Sequence, residues 1–153
     1  MVKDMSRRRF IGLLALALGV VGCGDGIKRV PVKGKLTAKG TPIEGGYVQF
    51  IPGAGVKGEG GIGLSDRDGN FSVKGFKGVV GVAPGEYRVR VSRLVMPDGT
   101  PLPYGATEAD NPGCRESIPA PYGTPQSPLK FTVPGQGGTI DVDLPVPLVG
   151  KKK

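Results

Sequence analysis

Glycine and proline occur so often in this chain that long helices are excluded from most of it. The 153 residues include 28 glycines and 15 prolines. In a helix interior glycine costs about 1 kcal/mol and proline about 3 kcal/mol relative to alanine, and proline also lacks the amide hydrogen that the helix needs. After the first twenty residues, few stretches free of both are long enough for a helix. The chain is therefore expected to fold from short extended segments joined by turns.

Residues 1–22 have the pattern of a secretory signal peptide. Residues 1–9 are basic, and the thirteen residues 10–22 are uncharged and mostly apolar. At 1.5 Å per residue, a helix of that length reaches about 20 Å, which is short of a hydrocarbon core of about 30 Å. A basic head and a short apolar stretch with small residues at its end are typical of a signal. We therefore predict a signal-peptide helix ahead of the folded domain.

The signal segment ends in Val20, Val21, Gly22 and Cys23, which resemble the lipobox of bacterial lipoproteins. In that family the cysteine thiol receives a diacylglycerol, and cleavage then makes the cysteine the first mature residue. The sulfur of Cys23 is the nucleophile that this chemistry needs, although the family most often has leucine where this chain has Val20. The resemblance implies a bacterial, extracytoplasmic protein anchored through Cys23 to the inner or outer membrane and facing the periplasm. A buried N-terminal helix with a core cysteine and a cleaved signal without lipid are the alternatives.

The basic head also resembles a twin-arginine export signal. Arg7 and Arg8 precede the apolar residues Phe10 and Ile11, as two arginines do in that signal. An ordinary basic head that contains three arginines explains the same residues. The general secretory route and the twin-arginine route both stay open.

The net charge of +8 is concentrated at the two termini. Four of the 21 basic and one of the 13 acidic side chains lie in residues 1–22, which leaves 17 and 12 in the remainder. Three of those 17 are Lys151, Lys152 and Lys153, in a basic tail at residues 146–153. Because the domain between is nearly balanced, we expect no nucleic-acid groove.

From residue 30 onward, apolar and polar residues alternate with period two between turns. The clearest case is residues 86–92, whose apolar side chains face one way while Arg88 and Arg90 face the other. Seven such segments predict an all-β fold, a seven-stranded immunoglobulin-like β-sandwich over residues 30–145. The predicted strands are residues 30–37, 47–51, 62–65, 70–73, 86–92, 129–133 and 139–144.

The same alternation assigns the side chains that fill the space between the two sheets. Residues 23–29, before the first strand, are predicted to be the lipidated cysteine and a short tether. The gap from Met96 to Ser117 is too long for a hairpin loop and is predicted to be a functional or irregular insertion. The predicted inward residues are Val32, Leu36, Val48, Phe50, Leu64, Phe71, Tyr87, Val89, Val91, Leu129, Phe131, Val133, Ile140, Val142 and Leu144.

Four blocks of the chain resemble the carboxypeptidase regulatory-like, or prealbumin-like, domains, above all those in small lipoproteins of planctomycete bacteria. The blocks are VPVKGKLTAKGTPIEGGYVQFIP, SDRDGNFSV, APGEYRVRVS and IPAPYGTPQSPLKFTVPGQGGTIDVDL. The resemblance implies a seven-stranded prealbumin-like sandwich without catalytic residues, and family members accompany enzymes, adhesins and cell-surface assemblies. This chain departs from the family by a longer segment that contains Cys114.

The side chains that most enzyme mechanisms need are missing. The chain has no histidine, which removes the commonest general base and metal ligand and any partner for a nucleophilic serine or cysteine. Hydroxyisourate hydrolases share the transthyretin-like sandwich but depend on histidines and a C-terminal Tyr-Arg-Gly-Ser, and this chain has neither. Asp141 and Asp143 point outward on their strand, as expected for a solvated face. We therefore expect no enzyme activity, no cofactor and no metal centre.

Asp66 and Asp68 stand two residues apart ahead of Gly69, which resembles the start of a calcium-binding loop. The downstream glutamate of an EF-hand is missing, and turns of this composition are common without metal. We therefore predict a turn, with weak calcium binding at Asp66 and Asp68 as the alternative.

Cys114 has no partner within the chain if Cys23 is acylated. It is then either a buried spare residue or the site of an intermolecular disulfide outside the cytoplasm. Burial is the favoured interpretation.

Together these features predict a membrane-anchored extracytoplasmic lipoprotein whose non-catalytic sandwich serves as a protein-interaction or structural module of the cell envelope. Loops such as residues 93–128 would face the partner. The alternative is a carbohydrate-binding surface module, with Tyr104 or Tyr122 stacking on a sugar. The absence of tryptophan favours a protein partner over a glycan.

Overall fold

The computed structural model describes residues 25–149. Within that range the chain is all-β, and it contains no helix that is long and apolar enough to span a membrane. The predicted signal peptide, with Arg7, Arg8, Val20, Val21, Gly22 and Cys23, lies outside the described residues, as does the lysine-rich end of the tail.

The first sheet is built around strand β1, which has partners on both sides. Lys33 is paired with Ser72 on one side and with Thr139 on the other. Two strands pair with β1 in antiparallel fashion, and two strands from the end of the domain pair with it in parallel. The sheet consists of β1 (Val32–Ala38), β2 (Thr41–Pro42), β5 (Asn70–Ser72), β11 (Gly138–Thr139) and β12 (Val142–Leu144).

The second sheet is antiparallel throughout, in the order β10-β7-β3-β4-β6. Its centre is the long pairing of β3 with β7, in which Tyr47 lies opposite Ser92 and Pro52 opposite Tyr87. A further pair of two-residue strands, β8 and β9, forms a small ladder of its own. The bounds are β3 (Tyr47–Pro52), β4 (Gly61–Leu64), β6 (Lys74–Gly75), β7 (Gly85–Ser92), β8 (Leu94–Val95), β9 (Arg115–Glu116) and β10 (Lys130–Val133).

One hydrophobic cluster joins the inner faces of the two sheets. Phe50 lies at its centre, with its ring 6.5 Å from that of Phe71 on the first sheet and 5.8 Å from that of Tyr87 on its own sheet. Full burial of such a side chain stabilises the fold by roughly 1.5–3 kcal/mol. The Tyr87 hydroxyl donates a hydrogen bond to the carbonyl of Ala83 at 2.7 Å, so its one polar atom is satisfied.

Each of the seven predicted segments contains a strand, but the structure has twelve strands. Four of the added strands are only two residues long: β2 and β6 pair with β1 and β4, and β8 and β9 pair with each other. The last predicted segment is divided at Ile140 and Asp141 into β11 and β12. The positions of the strands are thus confirmed, whereas their number differs.

The prediction that Leu64 faces inward was wrong, since 54% of Leu64 is exposed. The inward positions of β4 are Gly61 and Gly63. A Cβ atom on Gly63 would lie only 2.8 Å from the Phe71 ring, so the Phe71 ring occupies the space that a larger side chain on β4 would need. Of the other predicted inward residues, Leu129 and Phe131 are partly buried and the rest are buried.

The domain has two different ends. At one end Val30 pairs with Val82, and Ile27 lies close to the turn at Gly58; we call this the N-terminal end. At the other end β7 leads into residues 93–128, and the Arg93 side chain donates to the carbonyl of Glu44 at 2.6 Å. We call this the loop end. The parallel partner strand β12 also finishes there, with Leu144 opposite Ala38.

Strand β1 and the last part of the domain approach each other very closely at Gly34. The amide of Ile140 donates to the carbonyl of Lys33 at 2.8 Å, and the amide of Lys35 donates to the Asp141 carboxylate at 2.9 Å. The Asp141 side chain thereby replaces a backbone carbonyl where the parallel ladder is interrupted. A Cβ atom on Gly34 would lie 1.9 Å from the carbonyl oxygen of Ile140, so only glycine fits here.

Asp143 is bound to the same strand by its side chain. Its Oδ1 accepts hydrogen bonds from the Thr37 hydroxyl at 2.5 Å and from the Gly40 amide at 3.0 Å. The Thr37 hydrogen bond is the main cause that lowers the pKa of Asp143. Asp141 and Asp143 are exposed, as predicted, and they also hold the last strands to β1.

Replacing Gly34 with alanine is expected to lower the free energy of unfolding by about 3 kcal/mol or more, because backbone atoms must move apart. Gly135→Ala is the matched control, since no atom lies within 4 Å of its added Cβ, and it should change stability by less than about 1 kcal/mol. Urea unfolding of both variants measures the difference. Equal stability of the two would contradict the close approach at Gly34.

Candidate functional site

The outer face of the second sheet combines aromatic, amide and cationic side chains. Strand alternation turns Tyr47 and Gln49 of β3 outward, because Val48 and Phe50 fill the core. Cross-strand pairing then places Gln49 opposite Arg90 on β7. Side chains directly opposite each other on one face are within contact distance. The face therefore offers hydrogen-bond donors beside an aromatic ring.

Residues 93–128 build a wall over one end of this face. β8 pairs with β9, and the Leu102 amide donates to the Leu94 carbonyl at 2.8 Å, which folds residues 96–101 back as a small hairpin. The predicted insertion between Met96 and Ser117 thus contains ordered pairing of its own. It brings residues 102–106 against the sheet.

Glu116 fastens this wall to the end of β7. Its carboxylate accepts hydrogen bonds from the Ser92 hydroxyl at 2.7 Å, from the Arg93 amide at 2.8 Å and from the Ile118 amide at 2.9 Å. Hydrogen bonds to a charged group contribute roughly 1.5–3 kcal/mol each. One carboxylate therefore supplies three of the bonds that hold the wall to the sheet, beside the bonds from the amide and the hydroxyl of Ser117 to the Arg93 carbonyl, both at 2.9 Å.

Tyr104 extends from the wall onto Tyr47. The two ring centroids are 5.1 Å apart at an interplanar angle of 50°, and 61% of Tyr104 remains exposed. Burial raises the pKa of the Tyr47 phenol. Tyr122, the other tyrosine considered from sequence, is partly buried against the core, so Tyr104 alone of the two presents an aromatic surface to solvent.

A cavity of about 390 Å³ lies between the wall and the sheet. Tyr47, Gln49 and Arg90 line its sheet side, and Leu102 and Tyr104 line its wall side. The volume is in the range of sites that hold small ligands. We call the cavity and these five residues the outer groove.

Arg90 of the outer groove has a hydrogen-bond donor that is not satisfied within the described part of the chain. Its Nε atom is buried and has no hydrogen-bond partner among residues 25–149. Leaving such a donor unsatisfied costs roughly 1–3 kcal/mol, more for a charged group.

A second cavity continues along the same face toward the N-terminal end. It has a volume of about 440 Å³ and is lined by Ile51, Arg88 and Lys130 among others. Ile51 and Arg88 form the next outward cross-strand pair after Gln49 and Arg90. The Arg88 guanidinium donates to the carbonyl of Pro125 at 3.2 Å. The face is therefore basic over both cavities.

The side chains that line the outer groove limit what chemistry it can offer. The whole sequence lacks histidine, and in residues 25–149 no three histidine, cysteine or acidic side chains are placed to hold a metal ion. What the groove offers is a cation, an amide, two phenols and apolar surface. Such a set binds a ligand that has oxygen acceptors and a flat apolar face.

Sequence reasoning did not select Tyr47, Gln49 or Arg90 as site residues. The alternation had placed Arg90 outward, and the same alternation around Val48 turns Tyr47 and Gln49 outward. It could not show that these outward positions are neighbours, because that depends on the register between β3 and β7. The contribution of Tyr104 depends on the fold of residues 93–128, which has no periodic signal.

Asp66 and Asp68 lie together in the turn between β4 and β5. The Asp66 carboxylate accepts the amides of Asp68 and Asn70, both at 2.9 Å, as in an aspartate-capped turn. This geometry agrees with the turn interpretation and leaves fewer free lone pairs on Asp66 for a cation. Calcium binding at Asp66 and Asp68 stays a prediction to be tested.

Cys114 is buried, with 6% of its surface exposed, and is a free cysteine. Its amide donates to the Asn111 carbonyl at 3.0 Å within the wall. The burial of Cys114 agrees with the interpretation that it is a buried, unpaired residue, and it disfavours an intermolecular disulfide. The predicted lipidation site Cys23 and the lipobox residues lie outside the described part of the chain.

Comparison with protein-family models, with curated proteins and with solved structures gave no match to this chain. The functional interpretation therefore depends on the side chains of the outer groove and on the arrangement of the two ends of the domain.

Asp66→Ala is expected to lower the free energy of unfolding by about 1 kcal/mol, because two turn amides lose their acceptor. Asp68→Ala is the control and should change it by less than about 0.5 kcal/mol. Calorimetric titration of the parent with calcium should give no binding heat. Heat that appears in the parent and vanishes in the Asp66→Ala/Asp68→Ala variant would establish the calcium alternative instead.

Proposed function

We propose that this chain is a membrane-anchored extracytoplasmic lipoprotein of bacteria whose β-sandwich is a non-catalytic interaction module of the cell envelope. The observation that carries the proposal is the position of the two ends. The described chain begins with Asp25 at the N-terminal end, where Val30 pairs with Val82. The wall and the outer groove are at and near the loop end. An anchor on Cys23 would hold the first end at a membrane, and the wall and the groove would then lie toward the far end of the domain.

The prealbumin-like assignment, with its seven-stranded immunoglobulin-like sandwich, is part of the same proposal. Two sheets around one cluster support it. So does the central place of β1 between antiparallel and parallel partners. The sequence blocks that resemble carboxypeptidase regulatory-like domains include β1, β3, β5, β7 and β10–β12.

The side chains of the outer groove favour binding over catalysis. General acid–base catalysis needs a group that gains and loses a proton near neutral pH. Arginine and glutamine side chains are not such groups, because a guanidinium is not deprotonated in proteins and an amide does not titrate. These residues hold a ligand and do not transform it.

Changing Cys23 to alanine tests the anchor. Intact mass of the parent, isolated from bacterial membranes, should show an acyl-sized gain on a chain that starts at Cys23. The Cys23→Ala variant should lack this gain and should leave the membrane fraction, because the lipid is its attachment. Cys114→Ala is the matched control and should stay lipidated in the membrane. An unmodified, soluble parent would contradict the anchor and would leave Cys23 free to pair with Cys114.

A glycan partner is the second candidate, and the tyrosine pair favours it. An exposed ring such as Tyr104 can stack on the apolar face of a sugar, while Gln49 and Arg90 beside it donate to hydroxyl or carboxylate oxygens. The pair is smaller than the broad aromatic surface expected of a dedicated glycan-binding face. A protein partner remains the first proposal.

A photoreactive amino acid at position 104 distinguishes the two partners in intact cells. We expect a discrete adduct that protease digests, as for a protein partner, and no adduct from the same group at Lys35, which is exposed on the outer face of the first sheet. An adduct that resists protease and is cleaved by periodate would establish the glycan instead. Equal adducts at both positions, or none, would contradict a binding role for the groove.

A further inference from the structure

Three exposed apolar side chains lie together in the turn that follows β6. Phe76 and Val79 are each 48% exposed, and Val80 is 63% exposed. In residues 25–149 only three other large apolar side chains are this exposed, and they are scattered. A concentrated apolar patch on an otherwise well-buried domain marks an interaction surface.

The turn that carries this patch is a rigid hairpin. The Gly75 amide donates to the Val79 carbonyl at 2.7 Å, and the Gly78 amide donates to the Gly75 carbonyl at 2.8 Å. Lys74 and Val80 also form a bridge. These bonds fix the backbone of the hairpin whose apolar side chains are exposed.

The beginning of the described chain lies against this hairpin. Asp25 and Ile27 share a cavity of about 280 Å³ with Phe76, Lys77 and Val79. The distance from the anchor position to the patch is therefore short, because Cys23 precedes Asp25 by only two residues. The patch and the proposed anchor belong to the same end of the domain.

The surroundings of the patch are basic. Residues 25–31, 53–60 and 74–84, which form the N-terminal end, contain five basic and two acidic side chains. Arg29 and Asp25 form an ion pair, in which the hydrogen bonds from Arg29 hold the pKa of Asp25 well below its usual range; four lysines and Glu59 remain outside that pair. Lys28, Lys57 and Lys77 are exposed. Apolar side chains surrounded by lysines fit the interface of a membrane with anionic headgroups.

A second copy of the chain fits this surface less well. In a two-fold dimer the same patch meets itself, so the lysines of one copy would face those of the other. Like charges at close range oppose that contact. An anionic lipid surface instead attracts all of them.

We propose that the tip formed by residues 74–80, together with Lys28 and Lys57, inserts into the headgroup layer of an anionic membrane. This inference rests on the proposed lipid anchor at Cys23. The anchor brings the tip to the bilayer, and the tip then fixes the direction in which the domain stands. Phe76, Val79 and Val80 reach below the headgroups, and the lysines contact lipid phosphates.

An environment-sensitive fluorophore at position 80 tests the insertion in the full chain. The Val80→Cys and Leu64→Cys variants are each labelled in a Cys114→Ala background and reconstituted into phosphatidylcholine vesicles that contain phosphatidylglycerol. Leu64 is the matched control because it is also about half exposed but faces outward from β4. The background chain without an added cysteine measures any labelling at Cys23. We expect blue-shifted emission and quenching by nitroxide-labelled lipids at position 80 only.

Three other outcomes overturn the proposal, each for a distinct reason. A chain that does not remain with the vesicles contradicts the anchor, and the tip proposal fails with it. A chain that remains with the vesicles but has a water-exposed probe at position 80 contradicts the tip alone. A blue shift at position 80 without quenching by lipid nitroxides means that protein covers the tip, as a second copy of the chain would.

Charge reversal tests the contribution of the lysines to membrane insertion separately from the contribution of the lipid anchor. Lys77→Glu should reduce the ratio of quenched to unquenched probe at position 80 by about fivefold or more in vesicles with phosphatidylglycerol, because each basic residue adds to the attraction of the anionic surface. Lys39→Glu, at the loop end, is the control and should leave the ratio unchanged. An equal ratio in the two variants would contradict the role of the basic surroundings.

Discussion

The pairing of β1 with the last strands of the domain is the contact on which the rest of the structure depends. β1 is bonded to four other strands, and its side-chain contacts with Asp141 and Asp143 join residues 106 positions apart in sequence. Closing so long a loop costs chain entropy before any contact is gained. Once this loop is closed, the first sheet is complete. The second sheet can then pack against it, and the inner faces of the two sheets share one hydrophobic cluster. Gly34 is the position where this closure leaves no room for a side chain.

The local sequence pattern was sufficient to locate the main strands, because turns and period-two alternation depend on neighbouring residues. The pattern did not identify the buried face of a strand where both faces lack polar side chains. β4 has apolar residues and glycines in alternation, and the inward choice of Gly61 and Gly63 over Leu64 is made by the Phe71 ring on the other sheet. Two-residue strands such as β8 and β9 have no periodic signal at all. The Asp66 turn, by contrast, was predictable because its acceptor and donors are within four residues.

The outer groove could not be predicted from the sequence for a related reason. Its five residues come from β3, β7 and the wall, and each is an ordinary residue in its own segment. Gln49 and Arg90 become neighbours only through the register of β3 with β7. Tyr104 reaches Tyr47 because the wall is held to the end of β7 by Glu116 and by the bonds of Ser117 to Arg93. The proposed binding site thus depends on pairing between strands, and the same strands separate a polar, aromatic surface from an apolar, basic tip.

The parallel arrangement of β1 and β12 also has a mechanical consequence. β1 starts at the N-terminal end, β12 finishes at the loop end with Leu144 opposite Ala38, and the Val149 amide is bonded to Ser117 at 2.9 Å. The described chain therefore enters the domain at one end and leaves it at the other. A pull that separates these two ends of the described chain would slide β12 along β1 and load their hydrogen bonds together, in shear. In that geometry no bond of the ladder can open before its neighbours, so the bonds resist the force as one unit.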